Sequence, residues 1–231
     1  MRSSSIDWET LAQREPYFAV LTDERFLRER IDFAEFYATG EADVAQLFAA
    51  IKRHLGAPFA PRSALDFGCG VGRLTRALAQ HVPDVVGCDA AESMLRLAET
   101  AVPNATFTTT LPQRRFDFIC SLIVFQHIPV VEGEAIVDRL LALLNDGGVA
   151  ALHFTFRRPG GALRRLARRI RARVPLVHRV ASRLEGDRRG LPYMQMNEYD
   201  RERMLGRFHE PMLIPTNHGG IEGAIVIARK R

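Results

Sequence analysis

The sequence predicts an α/β fold built on a doubly wound, mostly parallel sheet. Three observations predict it. Apolar runs of strand length alternate with amphipathic stretches of helix length, three full times and more. The run Phe116–Ser121 is apolar at nearly every residue, as a strand covered on both faces must be. The first strand runs directly into glycines at alternate positions, Gly68, Gly70 and Gly72, with a helix pattern opening at about Leu74.

In chain order, Asp7 to about Tyr37 reads as helices with turns, its apolar positions (Trp8, Leu11, Ala12, Phe26, Leu27, Ile31, Phe33, Phe36) at mixed three- and four-residue spacing. Asp43–Leu55 is an amphipathic helix with Val44, Leu47, Phe48 and Ile51 as its stripe, closed by Gly56 and Pro58. The strand before the glycines and a helix to about His81 follow. Then come a strand at Val85–Cys88, a helix at Ser93–Thr100 and a short strand at Ala105–Thr109. After Phe116–Ser121 a helix spans Val131–Leu144, glycines 147 and 148 end it, and Gly148–Phe156 is the fifth strand. There the alternation breaks. Leu163, Leu166, Ala167, Ile170, Val174, Val177, Val180 and Leu184 keep near-helical spacing, arginines fill the opposite face, and Pro175 divides the stretch. A helix through about Phe208 and two strands, Pro211–Thr216 and Glu222–Lys230, complete the chain.

The 231 residues suit one domain, and 47% hydrophobic with 26% charged residues is a globular composition. No apolar run approaches the roughly 20 residues that cross a bilayer. Met1–Trp8 has no apolar core, so the reading predicts a cytoplasmic chain without a secretory leader. Cys69, Cys88 and Cys120 fall in strands or in the glycine turn, as buried reduced thiols would, and lack the spacing of a metal site. The formal charge of +5 is local in origin. Between Arg157 and Gly190 lie 12 arginines against Glu185 and Asp187, a net of +10, so the rest of the chain carries −5.

Glycines let the backbone turn sharply and let a ligand approach where a Cβ would intrude. Their place between a strand and a helix N-terminus predicts a nucleotide-type site at the carboxyl end of the first strand. A dinucleotide turn reads G-x-G-x-x-G; here the spacing is G-x-G-x-G, with Asp66 two residues before the first glycine. An acid there repels a pyrophosphate and suits a ligand bearing an ammonium and a sulfonium. Asp89, about 17 residues past the last glycine, ends the second strand, where a carboxylate accepts from ribose hydroxyls. The two acids favour S-adenosylmethionine (SAM) over NAD.

Four ordered motifs carry a family resemblance over about residues 33 to 155. Leu65–Arg73 resembles motif I of the class I SAM-dependent methyltransferases, and Val86–Asp89 with Ser93-Met94-Leu95 resembles motif II. Phe116–Ser121 into Gln126-His127-Ile128-Pro129 resembles the fourth-strand motif, and Leu144–Gly148 the glycine turn before strand five. The resemblance implies a Rossmann-like, seven-stranded sheet whose last hairpin is reversed. It implies one methyltransferase domain: a helical cap (1–40), a SAM-binding core (41–156), a basic helical insertion or substrate lid (157–208) and C-terminal strands (209–231). It also implies a SAM contact set of Tyr37, Gly40, Asp66, Gly68, Cys69, Gly70, Gly72, Asp89, Ala90, Met94, Leu111, Ser121 and Leu122, with Thr39 beside the first two. Two readings stay open for Tyr37 and Gly40, contact with the methionine end of SAM or plain packing and a turn. Met94 likewise either flanks the adenine or fills core. No acid follows the third strand to meet the adenine amino group.

Methyl transfer is an in-line displacement that needs alignment and a dry site, and a base only where the nucleophile is protonated. Three histidines are candidates: His127 after strand four, His153 in strand five and His218 between the last strands. Each has a structural alternative, a cap or a buried hydrogen bond. Tyr193, Gln195 and Tyr199 form a polar-aromatic cluster that either binds a hydroxyl-rich acceptor or covers core. The basic stretch, Arg164–Arg183, is open to reading as a lid, as a contact with an anionic membrane or lipid-linked substrate, or as a solvated face. It lacks the aromatics of a nucleic-acid platform, which disfavours nucleic acid. No Asn-Pro-Pro-Tyr-type motif follows strand four; Ser121-Leu122-Ile123-Val124 stands there. The expected activity is SAM-dependent methylation of a hydroxyl on a small molecule or saccharide. RNA methylation and a non-catalytic SAM-binding subunit are the alternatives.

Overall fold

The computed structural model describes residues 8–160, 191, 192, 194, 196–218 and 220–230, with only the backbone at His218. Helices α1 (Trp8–Arg14) and α2 (Pro16–Val20) precede a long helix, α3 (Phe33–Leu55). Then follow β1 (Ser63–Phe67), α4 (Arg73–Leu78), β2 (Asp84–Cys88), α5 (Glu92–Ala101), β3 (Thr106–Thr108) and β4 (Phe116–Ser121). The chain continues with α6 (Val130–Ala142), β5 (Leu144–Arg157), α7 (Arg201–Leu205), β6 (Met212–His218) and β7 (Ile221–Arg229). No described helix is long and apolar enough to cross a membrane.

The seven strands form one sheet in the order β3-β2-β1-β4-β5-β7-β6. β1 pairs in parallel with β2 on one side and β4 on the other, β2 with β3, and β4 with β5. β7 runs antiparallel between β5 and β6, so the last hairpin is reversed. The strand order turns around between β1 and β4, and ligands of such sheets bind at that switch, past the carboxyl ends of the strands.

Strand alternation sorts the core onto two faces. Along β5, Val149 and Ala151 join Val44, Leu47, Ile51, Leu74 and Leu78 under α3 and α4, whereas Ala150, Leu152 and Phe154 join Val137 and Leu140 under α6. A third cluster, Leu11, Phe26, Phe36, Tyr37, Val71 and Met94, fastens the N-terminal helices over the glycine turn.

One helix departs from the expected division. The sequence reads as a break between Tyr37 and Asp43, yet α3 runs unbroken from its Asp32 cap, whose carboxylate accepts from the amides of Ala34 and Glu35, to Gly56 in left-handed conformation. The expected cap–core boundary at 40 therefore falls inside one helix. Gly40 is mid-helix, and its missing side chain admits the Arg73 backbone carbonyl, which a Cβ would strike. Packing here overrides the weak helix propensity of glycine.

Candidate active site

A cavity of about 400 Å³ opens at the switch point, lined by residues at the carboxyl ends of β1 (Phe67, Gly68, Gly70), β2 (Cys88, Asp89, Ala90) and β4 (Leu122, Ile123, Val124). The glycine turn meets its expected geometry: Gly68, Gly70 and Gly72 have φ of 75°, 53° and 82°, values that glycine adopts without strain. α4 behind the turn is only six residues long, so the loop rather than a long helix dipole shapes the floor.

Asp89 sits at the rim. Its Oδ2 accepts from the Gly70 amide and its Oδ1 from the Ala91 amide, both at 2.9 Å. Burial pushes its pKa up, against the amides of Ala91, Gly70 and Ala90, which stabilise the charge. Met94, Thr109, Thr110, Leu111, Ile136 and Arg139 continue the wall beyond it. On the other side Trp8, Ala19 and Val20 from the N-terminal helices, with Ile123, Val124, His127 and Ile128, form a largely apolar wall. Glu9 fastens this roof to α5 by accepting from the Ser93 amide, at 3.2 Å, and from its hydroxyl. Ile123 has φ of 64°, a left-handed conformation that costs a β-branched residue strain and that clusters at functional sites.

Of the thirteen residues in the expected SAM set, Gly68, Gly70, Asp89, Ala90, Met94, Leu111 and Leu122 meet at this cavity. The others lie behind its walls. Asp66 departs most from expectation, because the second acid does not face the crevice. It shares a strand face with Ala64 and so points under α3 and α4, 1% exposed, accepting from the Thr75 hydroxyl at 2.6 Å. Burial raises its pKa to about 6. Tyr37 is buried, its hydroxyl donating to the Val71 carbonyl at 3.2 Å and its ring under the Arg76 guanidinium. Gly40 packs on Arg73, and Gly72 on Ala98 of α5 and on Val102 just past its end. Thr39 donates to the Phe36 carbonyl. Cys69 and Ser121 are buried, and Cys69, Cys88 and Cys120 are free thiols.

Among the histidines, His127 lines the cavity with its ring edge-on to Trp8, centroids 5.1 Å apart. His153 lies on the opposite sheet face from Phe154, buried and 2.9 Å from the Thr216 hydroxyl. The backbone of His218 pairs with Ile221 at the start of the last hairpin. Tyr199 is core, 2% exposed, its hydroxyl donating to the carbonyls of Phe125 and Ile128. Tyr193, Gln195 and Arg164–Arg183 lie outside the described residues. A second cavity, of about 510 Å³, lies at the amino ends of the parallel strands, lined by His54, His209, Arg229 and Lys230. It is the larger of the two, but it is far from the switch point.

The expected helical cap supplies the roof, although no local signal marked Trp8, Ala19 or Val20 as the residues that line the cavity. Sequence reasoning missed Ile123, which carries no glycine to mark its backbone.

A reversed-hairpin, seven-stranded sheet with a glycine turn at the switch point and a carboxylate ending the second strand defines the class I SAM-dependent methyltransferase architecture. A family model described as a methyltransferase domain matches residues 37–187, and the chain belongs to that family. It is 37% identical over 100 residues to the trans-aconitate 2-methyltransferase of Methylobacterium radiotolerans, 40% of this chain and 38% of that one. It is 30% identical over 113 residues to the ubiquinone biosynthesis O-methyltransferase of Psychrobacter arcticus, 43% of each chain. The chain thus spans about two fifths of the length of these relatives. In fold it is similar to the magnesium protoporphyrin IX methyltransferase of Synechocystis PCC 6803 with bound SAM, with a TM-score of 0.59 and 18% identity over 99% of this chain and 100% of that one.

The family's donor is SAM, and the crevice suits it. Side chains at positions 68 and 70 would collide with Val124 and Val20, so glycine is what lets these two valines of the apolar wall close over the turn. Asp89 is placed at the rim, and Met94, Leu111 and Ile136 give an apolar slot for a base.

Proposed function

We propose that the chain transfers the methyl group of SAM to an oxygen of a small molecule. The observation that carries this reading is the single crevice in which Asp89 and the glycine turn occupy one wall and His127 and Trp8 the other. Bound there, the donor supplies an electrophilic methyl carbon. The chain's part is to hold the donor's ribose by Asp89, to keep water out with the apolar roof, and to align the acceptor. The related ubiquinone biosynthesis enzyme is named an O-methyltransferase, which supports oxygen as the atom methylated. A saccharide acceptor loses one support, since Tyr199 is committed to the core.

Titration calorimetry separates the donor classes. SAM and its demethylated product bind, and NAD does not. Radiolabelled methyl SAM incubated with fractionated metabolites then labels a small molecule through oxygen. Binding of NAD in preference to SAM, or label carried only by RNA, overturns the proposal.

A further inference from the structure

Past Asp89 the crevice ends in a slot with apolar walls of Met94, Leu111 and Ile136, and the polar residues beside it are Thr109, Thr110 and Arg139. Arg139 follows Ile136 by three residues on α6, so the two share a helix face. Burial raises the Cys88 thiol to about 12 and the charges of Asp89 and Asp66 add to the rise, whereas the charge of Arg139 opposes it. The guanidinium therefore acts on the side of the crevice that carries Cys88 and Asp89.

Arg139 has no carboxylate to serve. Three and four residues before it stand Ile136 and Ala135, and three and four after it Ala142 and Leu143, so its helix offers it no ion pair. The buried Glu134 is held by Arg203 and Arg207, and Asp138 by Arg207, and no described carboxylate lies within ion-pair distance of Arg139. In the loop after β3 two backbone acceptors are already taken. The Thr108 carbonyl accepts from the Asp89 amide and the Thr110 carbonyl from the Thr108 hydroxyl, both at 3.2 Å.

A guanidinium is a fork of N–H donors with no acceptor. Adenine sets its 6-amino donor beside a single acceptor, N7 on one edge and N1 on the other, so a pair of parallel donors meets the amino group head-on. A 6-oxo purine sets O6 beside N7, the pair that arginine grips with two donors. Glutamine, with one donor and one acceptor, matches N6 and N7 of adenine instead.

We propose that Arg139 reads the base of the donor by donating to its ring acceptors, so that the crevice holds a 6-oxo purine as readily as adenine. This rests on the methyltransferase reading. Thr109 and Thr110 do not oppose it, because a hydroxyl donates or accepts.

The test is titration calorimetry of the full chain with S-adenosylhomocysteine, the demethylated product, and with S-inosylhomocysteine, in which oxygen replaces the 6-amino group. The wild type should bind the inosyl compound as tightly as the adenosyl one, within about threefold, or more tightly. Arg139→Ala should weaken the inosyl compound by about fivefold or more, and Arg139→Gln should turn the preference to the adenosyl compound by a similar factor. Arg139 is exposed, and thermal melts that match the wild type show that both variants fold. The proposal is overturned by a wild type that holds the inosyl compound more weakly than this, by an Arg139→Ala variant with both affinities unchanged, or by a preference that Arg139→Gln leaves unmoved. If neither compound binds the wild type, the methyltransferase reading falls and takes this proposal with it. Tight adenosyl binding with the inosyl compound rejected strikes this proposal alone.

Discussion

Asp89 reaches across from the second strand and takes the amide of Gly70 onto its carboxylate at 2.9 Å. One side chain thus braces the glycine turn and marks the rim of the crevice. The carboxylate is held by backbone amides at both oxygens and, in the proposed donor site, offers its remaining lone pairs to a ribose hydroxyl. Replacing Asp89 with alanine should weaken SAM binding by about 1–3 kcal/mol, roughly 5- to 150-fold, and asparagine by less. Calorimetry reads this directly; unchanged affinity in the alanine variant would remove Asp89 from the donor site.

Asp66 gives the clearest pH dependence. Its pKa rises from 3.8 unfolded to about 6 folded, through burial. The folded state therefore holds the proton more tightly, and the contribution of this group to stability falls as pH rises from about 4 to about 6. Asp66→Asn keeps an acceptor for Thr75 and removes the buried charge. It should raise stability by about 1–3 kcal/mol at pH 7–8, with the gain vanishing below about pH 4. Urea denaturation at pH 8 and pH 4 checks both halves.

Gly40→Ala reverses a familiar sign. In an exposed helix interior the change stabilises by about 1 kcal/mol. At position 40 the new methyl strikes the Arg73 carbonyl and must push α3 from α4. A loss of about 1–3 kcal/mol is expected, seen as a lower melting temperature. A variant as stable as the wild type would mean that the two helices part freely.

Tyr199→Phe separates a core role from an acceptor role. The phenol donates to the carbonyls of Phe125 and Ile128, and losing it takes one of two donors from each. About 1–3 kcal/mol of stability should go, with SAM affinity nearly unchanged. Unaltered stability with a raised KM for the acceptor would return Tyr199 to substrate binding.

The sheet was legible because its strands obey local rules. β4 was read at its observed limits, since an apolar run covered on both faces has no other reading. The glycine turn was legible from spacing alone. The continuity of α3 was not, because Gly40 serves a partner more than 30 residues away in sequence. The same limit governs the site. Asp89 was found at the tip of its strand, but the burial of Asp66 depends on which face α4 covers, and no pattern around Asp66 reports that. Val20 over Gly70 and Trp8 against His127 join distant segments with no local mark.

The backbone amide of Tyr199 donates to the carbonyl of Thr155 at 2.8 Å. Thr155 in β5 and Tyr199, more than 40 residues later in the sequence, are thus tied backbone to backbone at one point. Lengthening the sequence between two points so tied costs little closure entropy. A change of length between Thr155 and Tyr199 can therefore leave the tie between them in place.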